Sequence, residues 1–428
     1  MKLFVCLEGA VAGRLEAVGS RTQLVYSDAW LDETGAYPLS QSLPLARVPL
    51  TGTPVTNFLW GLLPDNERTL DAWSRQFQVS ARSPAALLAH VGEDCAGAVQ
   101  FVREERLDDV LKTNARAPQV EWLEEAQFER RIRHLSEDAG ATRESVVEGQ
   151  FSLSGAQAKT ALYFDKKRKR WGIPQGRTPT THILKPASNS FEGFAANEHF
   201  CLTLARRIGL AAATTEWRSV GGIPTLIAER YDRTLLAGGW HRIHQEDCCQ
   251  ALGIHPARKY ENEGGPGFRE IMSLLGSTDE PVVDRDRLMR TACLVYLLAA
   301  TDAHAKNFSL LYARGTQRSS MRLAPLYDIA SAWPYPRKIP VQKLKLAMRI
   351  GRYYRAREIQ PRHFKELAKA CGYSAEVLLA TLAELAERLP DEALVVAKEV
   401  GGDEAAREVM GMLVDKLNMQ CAATRRSL

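Results

Sequence analysis

The sequence predicts an α+β protein of two or three domains. A chain of 428 residues exceeds one ordinary hydrophobic core. Strand-like runs dominate the first 233 residues, and from about 235 the apolar period becomes helical. Within the helical half, Leu294-Val295-Tyr296-Leu297-Leu298-Ala299-Ala300 is apolar all round, as a buried helix must be. The 45% apolar and 25% charged shares are those of a globular chain. No stretch reaches the length of a membrane span. Met1-Lys2-Leu3-Phe4-Val5-Cys6 reads as a strand running to Glu8, not as a signal peptide. Eight cysteines with no Cys-x-x-Cys pair indicate neither zinc nor a disulfide framework, which implies a reducing, cytoplasmic setting. A net charge of +5 permits nucleic-acid contact without requiring it.

The first unit, residues 1–110, opens with strands at Leu3–Leu7, Arg14–Val18 and Gln23–Tyr26. A helix over Val55–Leu63 ends in the turn-forming Leu63-Pro64-Asp65-Asn66. Ala85–Val91 is a second helix, followed by a tight bend between Gly92 and Gly97. These polar loops read as turn chemistry, with no catalytic set. The second unit, 111–233, has a charged linker, a helix over Glu121–Leu135, then strands around one helix. The short side chains of Ser152-Leu153-Ser154-Gly155-Ala156-Gln157-Ala158-Lys159 would let backbone amides approach phosphate oxygens. With no Gly-x-Gly-x-x-Gly and no Walker sequence, the stretch taken alone reads first as a hairpin turn with surface serines. Lys166-Lys167-Arg168-Lys169-Arg170 is a solvated hairpin tip. Thr181-His182-Ile183-Leu184-Lys185 is a strand ending in lysine, and the helix Phe194–Gly209 carries Glu198 as a partner for it. The third unit, 234–428, has a short helix at His244–Leu252 and a glycine-rich loop at Lys259–Gly267. Helices follow at Gly267–Leu275 and Arg285–Ala300. A hairpin pairs Phe308–Tyr312 with Met321–Leu323, and Lys343–Met348 is a strand facing the site. From Pro361 about four helices follow, with turns near Gly372, Pro390 and Gly401-Gly402. Arg349, Arg352, Arg355, Arg357 and Arg362 form a basic cluster, either a solvated face or a nucleic-acid contact.

The chemistry centres on Thr301-Asp302-Ala303-His304-Ala305-Lys306-Asn307, which leaves the buried helix at a fixed point. Asp-x-x-x-x-Asn is the spacing of a kinase catalytic loop: the Asp takes a substrate hydroxyl's proton and the Asn holds a metal ion. Asp328, in Leu326-Tyr327-Asp328-Ile329, stands where the second metal-binding acid follows. Mg²⁺ takes a few hard oxygens plus phosphate oxygens, which Asn307 and Asp328 can supply. Lys306 could steady a γ-phosphate. His304 could approach the phosphates or simply fix the loop. Each residue alone has an ordinary structural reading. The order lysine, helix glutamate, buried helix, Asp-x-x-x-x-Asn, aspartate is far more specific. Three rival readings share some of these residues. They are a small-molecule or lipid phosphotransferase, a catalytically silent antitoxin or DNA-binding scaffold, and a metallohydrolase using Asp302, His304 and Asp328.

The heptad 301–307, with Ser154-Gly155-Ala156-Gln157-Ala158-Lys159 and Tyr327-Asp328-Ile329, closely resembles the HipA serine/threonine kinases, the toxins of bacterial toxin–antitoxin modules. Leu39-Ser40-Gln41-Ser42-Leu43-Pro44-Leu45 and Gly264-Gly265-Pro266-Gly267 extend the resemblance through nearly the whole chain. It implies a two-lobed protein-kinase-like fold with an extra N-terminal α/β subdomain for partner docking (1–110). A kinase N-lobe with phosphate loop and hinge (111–233) and an all-helical C-terminal lobe (234–428) would follow. It implies ATP and Mg²⁺, with Asp302 as base and Asn307 and Asp328 on the metal. Lys185, residues 154–159, His304, Lys306 and Tyr327 would contact ATP, with Glu229, Arg230 and Tyr231 as hinge. It further implies autophosphorylation at Ser152, or second at Ser154, and a HipB-like helix-turn-helix antitoxin that carries the complex to operator DNA. The target class would be aminoacyl-tRNA synthetases, glutamyl-tRNA synthetase above all, and the phenotype persistence. The chain departs from the family's best-known member at Ser154, a second hydroxyl in the loop, and in its short Lys185-to-Glu198 connection.

Overall fold

A computed structural model describes all residues except 19–20, 112–117, 138–150, Ala156, 188–190, 237–238 and 316–318. The N-terminal unit is an antiparallel sheet of five strands. Its order is Leu50–Thr51, Arg21–Tyr26, Ala10–Val18, Lys2–Leu7, Gln100–Val102. Lys2–Leu7 pairs with Ala10–Val18 from Lys2 opposite Glu16 to Leu7 opposite Ala10, so Leu3, Val5 and Leu7 are buried. Helices Thr53–Gly61 and Pro84–Val91 cover this face. A third helix, Glu67–Phe77, was not expected. Asn66 caps its N-terminus by accepting from the Arg68 N–H, so the Leu63–Asn66 cluster starts a helix as well as ending one.

The middle unit is a six-stranded antiparallel sheet in the order Thr215–Val220, Ile223–Glu229, His182–Pro186, Thr160–Asp165, Arg170–Pro174, Val120–Trp122. The helix expected over Glu121–Leu135 begins later, at Glu125. Val120–Trp122 is instead an edge strand, where Trp122 packs beside Tyr163. The basic run 166–170 is the expected exposed tip between two strands. Helix Phe194–Arg207 backs the sheet and buries Phe200, Leu202 and Leu204. Burying each such side chain contributes about 1.5–3 kcal/mol.

Helices dominate the remainder. Helix Pro281–Leu298 runs through the core, with every residue from Leu294 to Ala300 buried. All-helical structure holds from Pro361 onward. Upstream, a three-stranded sheet of His244–Asp247, Ser309–Ala313 and Ser320–Leu323 is set into the lobe. The helix expected over His244–Leu252 is thus a strand followed by one turn, Cys248–Ala251. Pairing with Ser309–Ala313, which is remote in sequence, overrides local preference. The C-terminal run holds three helices rather than four. Pro390 lies inside Ala375–Val400, and that helix packs against Glu404–Ser427 and Pro361–Ala370. Buried Leu382, Leu385, Leu389 and Ala393 outweigh the backbone hydrogen bond that proline cannot make. Strand Lys345–Ile350 packs on the same helical layer, and its residues do not line the cleft described next. Among the described residues, no helix is long and apolar enough to cross a membrane.

Candidate active site

Two connected hollows lie between the middle sheet and the helical lobe. The outer is a cleft of about 620 Å³, lined by Ser154, Gly155, Gln157, Ala158 and Lys159 of the expected phosphate loop, by Glu198, by most of the 301–307 segment and by Asp328. The inner hollow is lined by Lys185, Ala228 to Asp232, Gln245 to Asp247, Gln250 and Tyr327. Lys159, Lys185, Glu198, Tyr327 and Asp328 border one or both.

Lys185 is the penultimate residue of the strand His182–Pro186, and its ammonium lies 2.7 Å from Glu198 Oε1. It also pairs with the Asp328 carboxylate. Burial would lower the lysine's pKa, but Asp328 and Glu198 overcome that and raise it. Burial raises the Glu198 carboxyl. Burial also opposes ionisation of Asp328, yet Lys185 and Lys159 hold its pKa below the usual carboxylate range. Asp328 adopts a left-handed backbone (φ 55°), a conformation that costs a non-glycine residue about 1–2 kcal/mol and clusters at functional sites.

The 301–307 segment follows the left-handed C-cap Ala299 (φ 46°), so the helix stops where its apolar run ends. The Asp302 side chain is 70% exposed. It accepts a hydrogen bond from the Tyr260 hydroxyl. Asn307 Nδ2 donates to the Asp302 carbonyl at 2.8 Å and to the Asp328 carbonyl at 3.3 Å. One amide therefore ties the two acid-bearing loops together. The Tyr327 hydroxyl donates to the Lys306 carbonyl at 2.7 Å. His304 is buried, which pushes its pKa down to about 4, and its Nδ1 has no hydrogen-bond partner.

In the expected phosphate loop, Lys159 Nζ donates to the Ser154 carbonyl at 2.7 Å and closes the turn. Gly155 has φ +108°, and a Cβ there would lie 2.6 Å from that ammonium, so glycine is required. Ala156 lies outside the described residues. Ser152 is fully buried, and its Oγ donates to the Leu62 carbonyl at 2.7 Å. At the expected hinge, the Glu229 N–H donates to Thr214 O and the Arg230 N–H to Thr181 O, which uses two main-chain donors. The Glu229 carboxylate turns out to Lys166 at 2.8 Å, and the Arg230 guanidinium turns in to Asp232 at 2.7 Å. Tyr231 faces Tyr327 with ring centroids 5.9 Å apart.

Asn307 and Asp328 line the same cleft, and the described residues contain no cluster of three or more His, Cys, Asp or Glu for a metal. An amide and a carboxylate on one cleft suit Mg²⁺, which takes much of its coordination from substrate phosphates and water.

Sequence reasoning missed two residues. Asp65, read as turn chemistry, enters the cleft and pairs with Lys306 at 2.6 Å and Lys259 at 2.7 Å. Asp94, in the Gly92–Gly97 bend, is the buried centre of a cluster with Arg230, Arg233 and Arg242. An acid inside a turn motif carries no sign of a partner far away in sequence. In the glycine-rich Lys259–Gly267 loop, the Tyr260 hydroxyl reaches Asp302.

Residues 151–393 match the family described as the HipA-like C-terminal domain, and residues 3–102 match the HipA N-terminal domain. The chain belongs to the HipA family. Its relatives include Y4mE of Sinorhizobium fredii, 38% identical over 353 residues, 81% of this chain and 80% of that one. The serine/threonine-protein kinase toxin HipA of Shewanella oneidensis MR-1 is 27% identical over 399 residues, 89% of this chain and 86% of that one. The fold superposes on HipA in the Shewanella oneidensis MR-1 complex of HipA, HipB and operator DNA. The TM-score is 0.82 at 24% identity, covering 99% of each chain. This HipA-type fold agrees with the α+β, kinase-like architecture expected from sequence.

Proposed function

We propose that this protein transfers the γ-phosphoryl group of ATP to a serine or threonine hydroxyl of a protein, as the toxin of a toxin–antitoxin pair. The observation that carries the reading is the Lys185–Glu198–Asp328 cluster, whose two carboxylates line the same cleft as Asp302 and Asn307. Phosphoryl transfer needs positioned phosphates, neutralised charge and an oriented hydroxyl. Lys185, fixed by Glu198, would exchange its contact with Asp328 for ATP phosphate oxygens. Asn307 and Asp328 would hold Mg²⁺, whose charge offsets that building on the phosphates. Residues 154–159 would wrap the phosphates, and 229–231 would border the base. Asp302, freed from Tyr260, would orient the substrate hydroxyl and receive its proton. Lys306 and His304 would complete that side.

The units 1–110, 111–233 and 234–428 serve in this reading as partner-docking domain, N-lobe and C-lobe. The partner is a HipB-like helix-turn-helix antitoxin that brings operator DNA, as the Shewanella complex suggests by likeness. An aminoacyl-tRNA synthetase, glutamyl-tRNA synthetase first, is the substrate class to test. A cytoplasmic location fits eight free, buried cysteines. Self-control acts at Ser152, with Ser154 second. A phosphate adds nearly two negative charges, and Ser152 has no room for one while its Oγ is buried against Leu62. The loop would have to leave its seat, which removes the ATP site.

The test is intact-mass spectrometry of the purified protein before and after ATP and Mg²⁺, beside Asp302→Ala. The expected result is a phosphate-sized gain in the wild type, mapping to Ser152, reduced about 10²–10⁴-fold in rate in the variant. An unmodified starting mass with no gain would transfer the argument to a small-molecule phosphotransferase or a silent scaffold.

A further inference from the structure

The turn Leu62–Asn66 of the N-terminal unit touches both sides of the cleft. On one side it seats the phosphate loop. Ser152 Oγ donates to the Leu62 carbonyl at 2.7 Å, and the Asp65 N–H donates to the Gly155 carbonyl at 3.2 Å. Pro64 and Gly155 form a parallel bridge. On the other side, each Asp65 carboxylate oxygen takes one lysine: Oδ1 receives Lys306 Nζ at 2.6 Å and Oδ2 receives Lys259 Nζ at 2.7 Å. Lys306 belongs to the 301–307 segment. Lys259 precedes Tyr260, which reaches Asp302, and its carbonyl accepts from the Ala305 N–H at 3.4 Å. The side chains of Asp65 and Lys259 are each 15% exposed and that of Lys306 3%, so screening by water is weak. Burial opposes ionisation of Asp65, and Lys306 and Lys259 overcome it, so the carboxylate is charged at neutral pH.

We propose that Asp65 is a positioning residue for phosphoryl transfer. It sets Lys306 and Lys259 through its carboxylate and makes their placement depend on the seating of the phosphate loop, through its own main-chain bond to Gly155. The proposal rests on the kinase reading and deepens it. Asp65 touches no reacting atom. It acts through the two ammonium groups, which it holds on the same side of the cleft as Asp302. A loop that leaves its seat loses the Gly155 bond, and the lysines lose a fixed anchor. The N-terminal unit thereby becomes part of the site, and a displaced loop disarms the catalytic segment as well as the ATP phosphates.

The experiment uses the full chain with Asp65→Asn, Asp65→Glu and Lys259→Met. It measures kcat and KM for ATP, Mg–ADP affinity by calorimetry, and the rate of proteolytic cutting within 151–159. Asp65→Asn should lower kcat about tenfold or more, the scale on which misplacement of a supporting group acts. KM and ADP affinity should stay within about threefold, and cutting of the loop should quicken. Asp65→Glu should restore most of kcat. Lys259→Met leaves the carboxylate paired with Lys306, so it keeps the test open if Asp65→Asn folds poorly. It should lower kcat by less, and the two changes together should be less than multiplicative. Wild-type kcat in Asp65→Asn, unchanged loop cutting, or multiplicative effects would each overturn the proposal. A wild type that binds no ADP and phosphorylates nothing would sink the kinase reading, while the cutting assay would still judge the tie between Asp65 and the loop.

Discussion

Two buried ion clusters in this molecule are built from similar parts and held differently. Around Asp94, Arg230, Arg233 and Asp232 are 4% exposed or less in their side chains and Arg242 is 7%. Backbone groups complete it: the Gly97 N–H donates to Asp232, and Arg230 and Arg233 donate to the Cys95 carbonyl. Around Lys185, Glu198 is equally buried, but Asp328 is 32% exposed and borders the cleft. The first cluster fixes the N-terminal unit to the end of strand Ile223–Glu229, with each charge committed to protein partners. The second leaves one carboxylate open to a ligand and carries its strain there, in the left-handed Asp328. Permanently paired charges build an interface, and in the proposed reading a charge that can change partners builds a site.

The comparison breaks most sharply at Asp94. Asp94→Ala leaves three arginines without their shared carboxylate and should cost about 3–5 kcal/mol in urea unfolding. A loss below about 1 kcal/mol would remove the distinction between the clusters, since surface pairs contribute that much. Lys185→Met should act the other way. Phosphoryl transfer should fall about 10²–10³-fold, as when one preorganised donor is lost. Stability should change less than in Asp94→Ala, because Glu198, already raised by burial, can take up a proton. A melting shift as large as that of Asp94→Ala would make the Lys185 cluster structural too.

The smallest effect concerns pH. His244 is buried between the first unit and the helical lobe, stacked on Tyr37 at 5.5 Å, with Nε2 bonded to the Leu39 carbonyl at 2.9 Å. Burial lowers its pKa from 6.5 to about 4. Its neutral form therefore contributes stability in full above about 6.5, and that contribution is lost as pH falls towards 4. His244→Gln should flatten stability against pH across that window by up to about 1.4 kcal/mol per pH unit. Parallel curves for the two proteins would show that His244 does not carry the effect.

Much of the second and third units was legible because their signals are local. The strand ending at Lys185, the helix bearing Glu198 and the Asp302–Asn307 spacing each lie within a few turns of chain. Their order specified one arrangement. The misreadings have one cause. His244–Asp247 looked helical until Ser309–Ala313 paired with it, and Pro390 looked like a break until two neighbouring helices packed around it. Asp65 looked like turn chemistry because its lysine partners lie in the helical lobe, one of them 241 positions away.

The sequence by itself determined the residues whose types and order suit phosphoryl transfer, since spacing is a property of the chain, and it carried the motifs whose resemblance implied the family and its kinase-like fold. Only the tertiary structure decided that the N-terminal unit reaches into the cleft, which of the buried charges stay open to a ligand, and that Ser152 is packed against Leu62. Those are properties of contacts between distant segments, and a pair of opposite charges acquires its strength only when folding brings both out of water.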